Sequence, residues 1–167
     1  KYLLGIPGVA FLYVKKDLAQ KLKPRATGWL GQVSPFEINN PVFHDGTRRF
    51  ETGTPAFISV YAACEALKMI LDVGVGNIEE YLIKLTKLAI EYGQEKGLNL
   101  AGPEDVEKRA SLISFFSENI SKAEELLRSK NIIVSPRKDV IRIAPHYYNT
   151  GDEIIKAVDE LVIAQKI

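Results

Sequence analysis

The order of elements legible from Leu112 to Gln165 limits the fold more than any other feature of this sequence. Leu112-Ile113-Ser114-Phe115-Phe116 is short, apolar and aromatic, the composition of a strand. Ser121 with Glu124 and Thr150 with Glu153 each have capping-box spacing ahead of an apolar periodic run, predicting helices over about 122–130 and 151–165. Two further short strands, Asn131–Ser135 and Val140–Ala144, fall between the helices, joined through Pro136-Arg137-Lys138-Asp139. Strands that close together in sequence pair antiparallel, and both helices must then lie on one face of the sheet. The tail therefore reads β-α-β-β-α, an α+β layer arrangement that can bury its own core.

Upstream the pattern is less regular. Gly5, Pro7 and Gly8 form a breaker cluster, and the uncharged run Val9–Val14 reads as a strand buried on both faces. Lys15–Leu22 carries Leu18 and Leu22 at helical spacing and stops at Lys23-Pro24. Residues 25–53 show no sustained period. Trp29, Phe36, Phe43 and Phe50 punctuate them, so the stretch reads as an ordered excursion rather than a slack loop. Thr54-Pro55 reads as an N-cap followed by proline in the first helical position. Phe57, Val60, Tyr61, Cys64, Leu67 and Leu71 then mark an apolar stripe, which makes Cys64 a small buried hydrophobe. After Gly74 and Gly76, Asn77 with Glu80 suggests a second cap. Ile78, Leu82, Leu85, Ala89 and Tyr92 give that helix one apolar face, ending near Gly97. Two domains follow, residues 1–73, the edge of a larger α/β domain, and residues 74–167, the small α+β domain.

Composition excludes several partners. The 167 residues carry 22 basic and 21 acidic side chains, so a net charge of +1 gives no electrostatic attraction to nucleic acid or an anionic membrane. Neither is expected as a partner. No apolar stretch approaches the roughly 18 residues of a membrane span, and no secretory leader pattern opens the chain. One cysteine rules out an internal disulfide and fits a reducing compartment, with the cytoplasm as the default. No histidine, cysteine or carboxylate cluster has metal-ligand spacing, and no Ser-His-Asp arrangement is present. The absence of an initiator methionine, and a start in mid-motif, read as a fragment whose missing part lies upstream.

Three stretches could carry chemistry. Lys1 stands ahead of the breaker cluster and is either a solvated terminus or an amine held near a core. Gly28-Trp29-Leu30-Gly31 and Arg48-Arg49-Phe50-Glu51-Thr52-Gly53-Thr54-Pro55 form the second. Gly53, the Thr54 amide and the Thr54 hydroxyl at a helix start are either a plain cap or a place for a phosphate oxygen, and the Trp29 indole N–H is a donor or a packed aromatic. In Val140-Ile141-Arg142-Ile143-Ala144-Pro145-His146-Tyr147-Tyr148-Asn149-Thr150, strand alternation sets Arg142 on the face opposite Ile141 and Ile143. There it is either an ion-paired surface arginine or a fork for a carboxylate. Arg137 is a weaker candidate for the same pocket, while His146 and His44 read as structural and loop residues.

Taken together, these motifs resemble the class V aminotransferase family of pyridoxal 5'-phosphate (PLP) enzymes, in the family's order and over nearly the whole chain. The resemblance implies the C-terminal part of the fold type I PLP-dependent transferase fold. It makes Lys1 the residue that forms the internal Schiff base with PLP, and sets Trp29, Gly53 and Thr54 about the cofactor phosphate. Arg142 becomes the arginine that holds the α-carboxylate of an amino-acid substrate. It also implies a homodimer with shared active sites, the Arg-Phe-Glu-x-Gly-Thr-Pro segment lying at the subunit interface. Transaminase, epimerase and lyase chemistry stay open, with a kynureninase-like hydrolase as the enzyme alternative and a separately stable α+β interaction domain as the non-enzyme one. Cysteine desulfurases of the family carry a nucleophilic cysteine in the tail domain. Residues 101–150 contain none, which argues against persulfide chemistry. The family's cofactor-stacking aromatic and its pyridinium partner lie upstream of the lysine, so a chain that starts at Lys1 is expected to be inactive alone.

Overall fold

The computed structural model describes residues 2–37 and 39–166. The chain divides into two compact units, residues up to Ile70 and residues from Leu71 onward.

In the first unit, α1 (Lys16–Lys21) is a short helix with only Ala19 buried. The run Val9–Val14, expected to be a buried strand, is extended but pairs with no strand among the described residues. Phe11, Leu12 and Tyr13 are exposed, Tyr13 by 84%. β propensity brings no burial where neither a ladder nor a second layer covers the segment. Residues 25–53 close on themselves through a bridge between Gln32 and Phe43 and two 3-10 turns, Trp29–Gly31 and Gly46–Phe50. The half-buried Arg49 ties this excursion to α1. Its guanidinium donates to the carbonyls of His44 at 3.1 Å, Gln20 at 3.0 Å and Leu22 at 3.2 Å, two of which are at the end of α1, where a cation is favoured.

Helix α2 (Phe57–Val73) starts later than the Thr54-Pro55 cap predicts. Its first turn is closed by the Val60 amide on the Ala56 carbonyl at 2.9 Å, so Thr54 and Pro55 belong to the extended approach. Proline lacks an amide hydrogen and can precede a helix as readily as open one, so its position does not fix where the helix starts. The buried face is also rotated. Ser59, Ala66 and Ile70 are buried, whereas Phe57, Tyr61, Leu71 and Cys64 are exposed. Cys64 is therefore not the core residue its spacing suggests. The face that does pack lies under the opening segment, with the Ser59 hydroxyl donating to the Pro7 carbonyl at 2.7 Å and Gly5 against Ala63. Small side chains of α2 lie beneath that segment, while Phe57, Tyr61 and Leu71 face outward.

The second unit is built as its sequence predicts, with shifted boundaries. It contains α3 (Val75–Glu95), β1 (Ile113–Phe116), α4 (Ile120–Ser129), β2 (Ser135–Arg137), β3 (Val140–Ile143) and α5 (Gly151–Ala164). This is the β-α-β-β-α order preceded by a long helix. The sheet is antiparallel, in the order β1-β3-β2. Ile113, Phe115, Ile141 and Ile143 point to one face and are buried with Leu85, Ala89 and Ile90 of α3, Ala123 and Leu127 of α4, and Val158 and Leu161 of α5. Tyr92 of α3 donates to Asp159 of α5 at 2.9 Å, securing the helices against each other.

Several local expectations move by a few residues. Gly76 lies within α3, whose N-cap is Gly74, and Asn77 donates back to the Val73 carbonyl at 2.7 Å instead of capping. Asn119, not Ser121, caps α4 by accepting from the Lys122 amide. β2 spans Ser135–Arg137, not 131–135. The chain leaves α4 through Asn131 at φ 62°, and Ile132–Val134 serve as the connection back to the sheet. As an edge strand, β2 accommodates Pro136.

Candidate functional site

In the first unit the two glycine motifs interlock. A methyl group on Gly28 would coincide with the Thr52 carbonyl, and one on Gly31 would sit 2.7 Å from the Arg49 carbonyl and 2.9 Å from that of Glu51. Only glycine permits this approach, so the Gly28–Gly31 turn is seated directly on the 49–53 backbone. The amide of His44 donates to the Gly31 carbonyl at 3.0 Å and fixes the far side of the turn.

The consequence is the position of Trp29. Its indole Nε1 lies 3.4 Å from the point a β-carbon of Gly53 would occupy, and its ring meets Phe36 at 6.0 Å between centroids. Trp29 is 43% exposed, and its N–H meets no acceptor among the described residues. The exposed Thr54 follows at once. Trp29 and Gly53 thus meet, with Thr54 next in the chain, so an indole N–H lies beside the glycine backbone. The helix contribution expected at Thr54 is weaker, because α2 opens three residues later.

In the second unit Arg142 is central to β3 and half-buried, on the face opposite Ile141 and Ile143 as alternation requires. The register sets it directly between Ser114 of β1 and Ser135 of β2. Its Nε is buried without a hydrogen-bond partner, and no carboxylate of the described residues pairs with the guanidinium. An arginine held in this way has donors left for a ligand.

The end of β3 is rigidly held. The amide of His146 donates to the Asn149 side chain, and the Asn149 amide donates to the His146 carbonyl, both at 2.9 Å. The Tyr81 hydroxyl of α3 donates to the Asn149 carbonyl at 2.9 Å. Thr150 and Glu153 form the complete capping box on α5. Hydrogen bonds from the Thr150 amide and then from the Asn149 side chain hold the Glu153 carboxyl below its ordinary pKa. His146 is buried between Tyr147 and Tyr148, each at 4.8 Å, in the structural role its position suggests.

Lys1 lies outside the described residues. The structure brings Trp29 and Gly53 together in the first unit, with Thr54 exposed beside Gly53 in the chain, and sets Arg142 on the sheet of the second. Sequence reading did not pick out Ser114 and Ser135, because only the pairing register puts them beside Arg142. Among the described residues no helix is long and apolar enough to cross a membrane.

Comparison with known proteins extends this picture. The family model described as aminotransferase class-V matches residues 1–154. An uncharacterized aminotransferase, YcbU of Bacillus subtilis, is 46% identical over 96% of this chain and 42% of its own length. Kynureninase of Deinococcus radiodurans is 30% identical over 91% of this chain and 39% of its own. Among solved structures, the cysteine desulfurase of Thermococcus onnurineus matches with a TM-score of 0.81 at 21% identity, over 92% of this chain and 42% of that one. The cysteine desulfurase CsdA of Escherichia coli matches at 0.79 and 22%, over 97% and 42%. The chain therefore spans about two-fifths of the length of these relatives and carries the C-terminal part of the fold type I PLP-dependent fold.

Proposed function

The chain belongs to the class V aminotransferase family, and from that premise we propose that it forms the C-terminal portion of a PLP-dependent enzyme acting on an amino acid. The observation that carries this reading is the seating of Trp29 against Gly53.

The residues fit the cofactor's needs. Trp29 would donate its indole N–H to the phosphate, with the Gly53 and Thr54 backbone and the Thr54 hydroxyl as further donors. Lys1 would hold the cofactor covalently through its amine. When bound, PLP withdraws electrons from the substrate α-carbon and so labilises its bonds. Arg142 would take the α-carboxylate by two parallel hydrogen bonds and thereby orient the α-carbon. Lys1 would also be the amine available to move the α-proton. The rigid Asn149–Glu153 cap keeps β3, and with it Arg142, in place.

The reading includes a cytoplasmic homodimer with shared sites, in which the chain alone is inactive. It also divides the chain at residue 73, with residues 1–73 completing the cofactor-binding domain and 74–167 forming the small domain. Persulfide chemistry is not part of it. Residues 101–150 hold no cysteine, and β2 and β3 are joined by the short turn Lys138-Asp139. The 30% identity to a kynureninase supports a second reading, a hydrolase on the same cofactor.

The test uses the longer polypeptide that carries this chain. It should bind PLP with an absorbance band that Lys1→Ala removes, and borohydride reduction should leave the pyridoxyl mass on Lys1. Arg142→Ala should weaken amino-acid binding far more than PLP binding. A colourless protein that takes up no PLP, or equal losses in both affinities, would contradict the reading.

A further inference from the structure

The open face of the second unit's sheet carries a second cation. The residues pointing away from the core are Ser114 and Phe116 on β1, Val140 and Arg142 on β3, and Ser135 and Arg137 on β2. Arg137 is opposite Val140, two residues from Arg142, and is thus its diagonal neighbour across the ladder. Such positions are separated by roughly 7–8 Å, within reach of long side chains. Arg137 is exposed, and its guanidinium donates from Nη1 to the Pro136 carbonyl at 2.6 Å. No carboxylate among the described residues pairs with either guanidinium. The other charged groups at this end include Lys138 and Asp139 in the turn and Glu118 after β1, all exposed. Two unneutralised cations adjacent on one face repel each other, and one ligand bearing two separated negative charges relieves both.

We propose that Arg137 is a specificity residue, binding the side-chain anion of an acidic amino acid whose α-carboxylate is held by Arg142. The inference rests on the carboxylate role of Arg142 given above and extends it to the class of substrate. Ser114 and Ser135 flank Arg142 with small hydroxyl side chains, leaving room beside it for the ligand. Arg137 lies on the outer strand of the sheet, in register with Val140. Phe116 closes the opposite side and disfavours a second charge there.

The experiment is a titration of the 167-residue chain with glutarate and with butyrate, a diacid and a monoacid of similar length. Binding is followed by amide chemical shifts at residues 113–116 and 135–143. Glutarate should bind more tightly than butyrate. Arg137→Gln should weaken glutarate about three- to fivefold, the effect of an exposed ion pair, and leave butyrate unchanged. Arg137→Lys should restore part of the glutarate affinity. Arg142→Gln should weaken both ligands at least about tenfold, the effect of losing charged hydrogen bonds. Equal binding of the two acids, or no response of glutarate to Arg137→Gln, overturns the proposal while the role of Arg142 stands. Loss of neither ligand in Arg142→Gln, or no shifts in the parent chain, overturns both. Because Arg137 is exposed, its variants test the idea without disturbing the fold.

Discussion

The unit up to Ile70 and the unit from Leu71 onward draw on similar residues, yet only the second encloses a substantial core. In the second, Ile113, Phe115, Leu127, Ile141, Val158 and Leu161 are completely buried, and every strand is paired. In the first, Phe11, Leu12, Tyr13, Phe57 and Tyr61 lie exposed, and the buried positions are mostly small. What differs is local closure. Antiparallel strands and their covering helices follow one another within residues 113–164, so short connections bring their apolar faces together. The first unit is held instead by backbone fits, the glycine turn on 49–53 and the guanidinium of Arg49, which position groups without burying much apolar area. It resembles one wall of a site more than an independent core.

Core truncation should separate the units most clearly. Ile141→Ala should destabilise the second unit by about 2–5 kcal/mol through lost burial and the cavity left behind, read from amide exchange in β1 and β3. Tyr61→Ala in the first unit should change stability by less than about 0.5 kcal/mol. Comparable losses from the two substitutions would dissolve the contrast.

A backbone fit should be vulnerable where a core is not. Gly28→Ala would force the turn off the Thr52 carbonyl and should cost about 1–3 kcal/mol locally. Because Trp29 is the single tryptophan, its fluorescence reports this site alone. Its emission should shift in Gly28→Ala while the protection of the second unit's sheet is unchanged. An unaltered spectrum would mean that the turn does not need glycine.

The smallest effect concerns the cap that holds the end of β3. Thr150→Ala should cost about 1 kcal/mol, seen in chemical denaturation near neutral pH. Glu153 has a depressed pKa in the folded chain, so its contribution is complete above the ordinary carboxylate value. It is lost as pH falls through the depressed one. Glu153→Gln should therefore flatten stability over that acid window, and an unchanged acid limb would remove Glu153 from the account.

How far the residues alone reached follows the same division. The β-α-β-β-α order, the Thr150–Glu153 box and the facing of Arg142 were legible, because each depends on spacing within a few residues. The buried strand at 9–14 and the buried Cys64 were misread, because spacing reveals an apolar stripe but not what covers it. Thr54 was taken for a helix cap because threonine-proline suits that position, whereas the helix opens at Phe57 with its first bond accepted by Ala56.

By itself, then, the sequence determined the order of the second unit's elements, the Thr150–Glu153 cap and the facing of Arg142, all set by side chains and their near neighbours in the chain. Tertiary structure alone decided the rest. The seating of Trp29 on Gly53 depends on a backbone approach between segments about two dozen residues apart, which no local period encodes. The row of Ser114, Arg142 and Ser135, with Arg137 on its diagonal, depends on strand register, and a shift of one residue would turn those side chains to the other face.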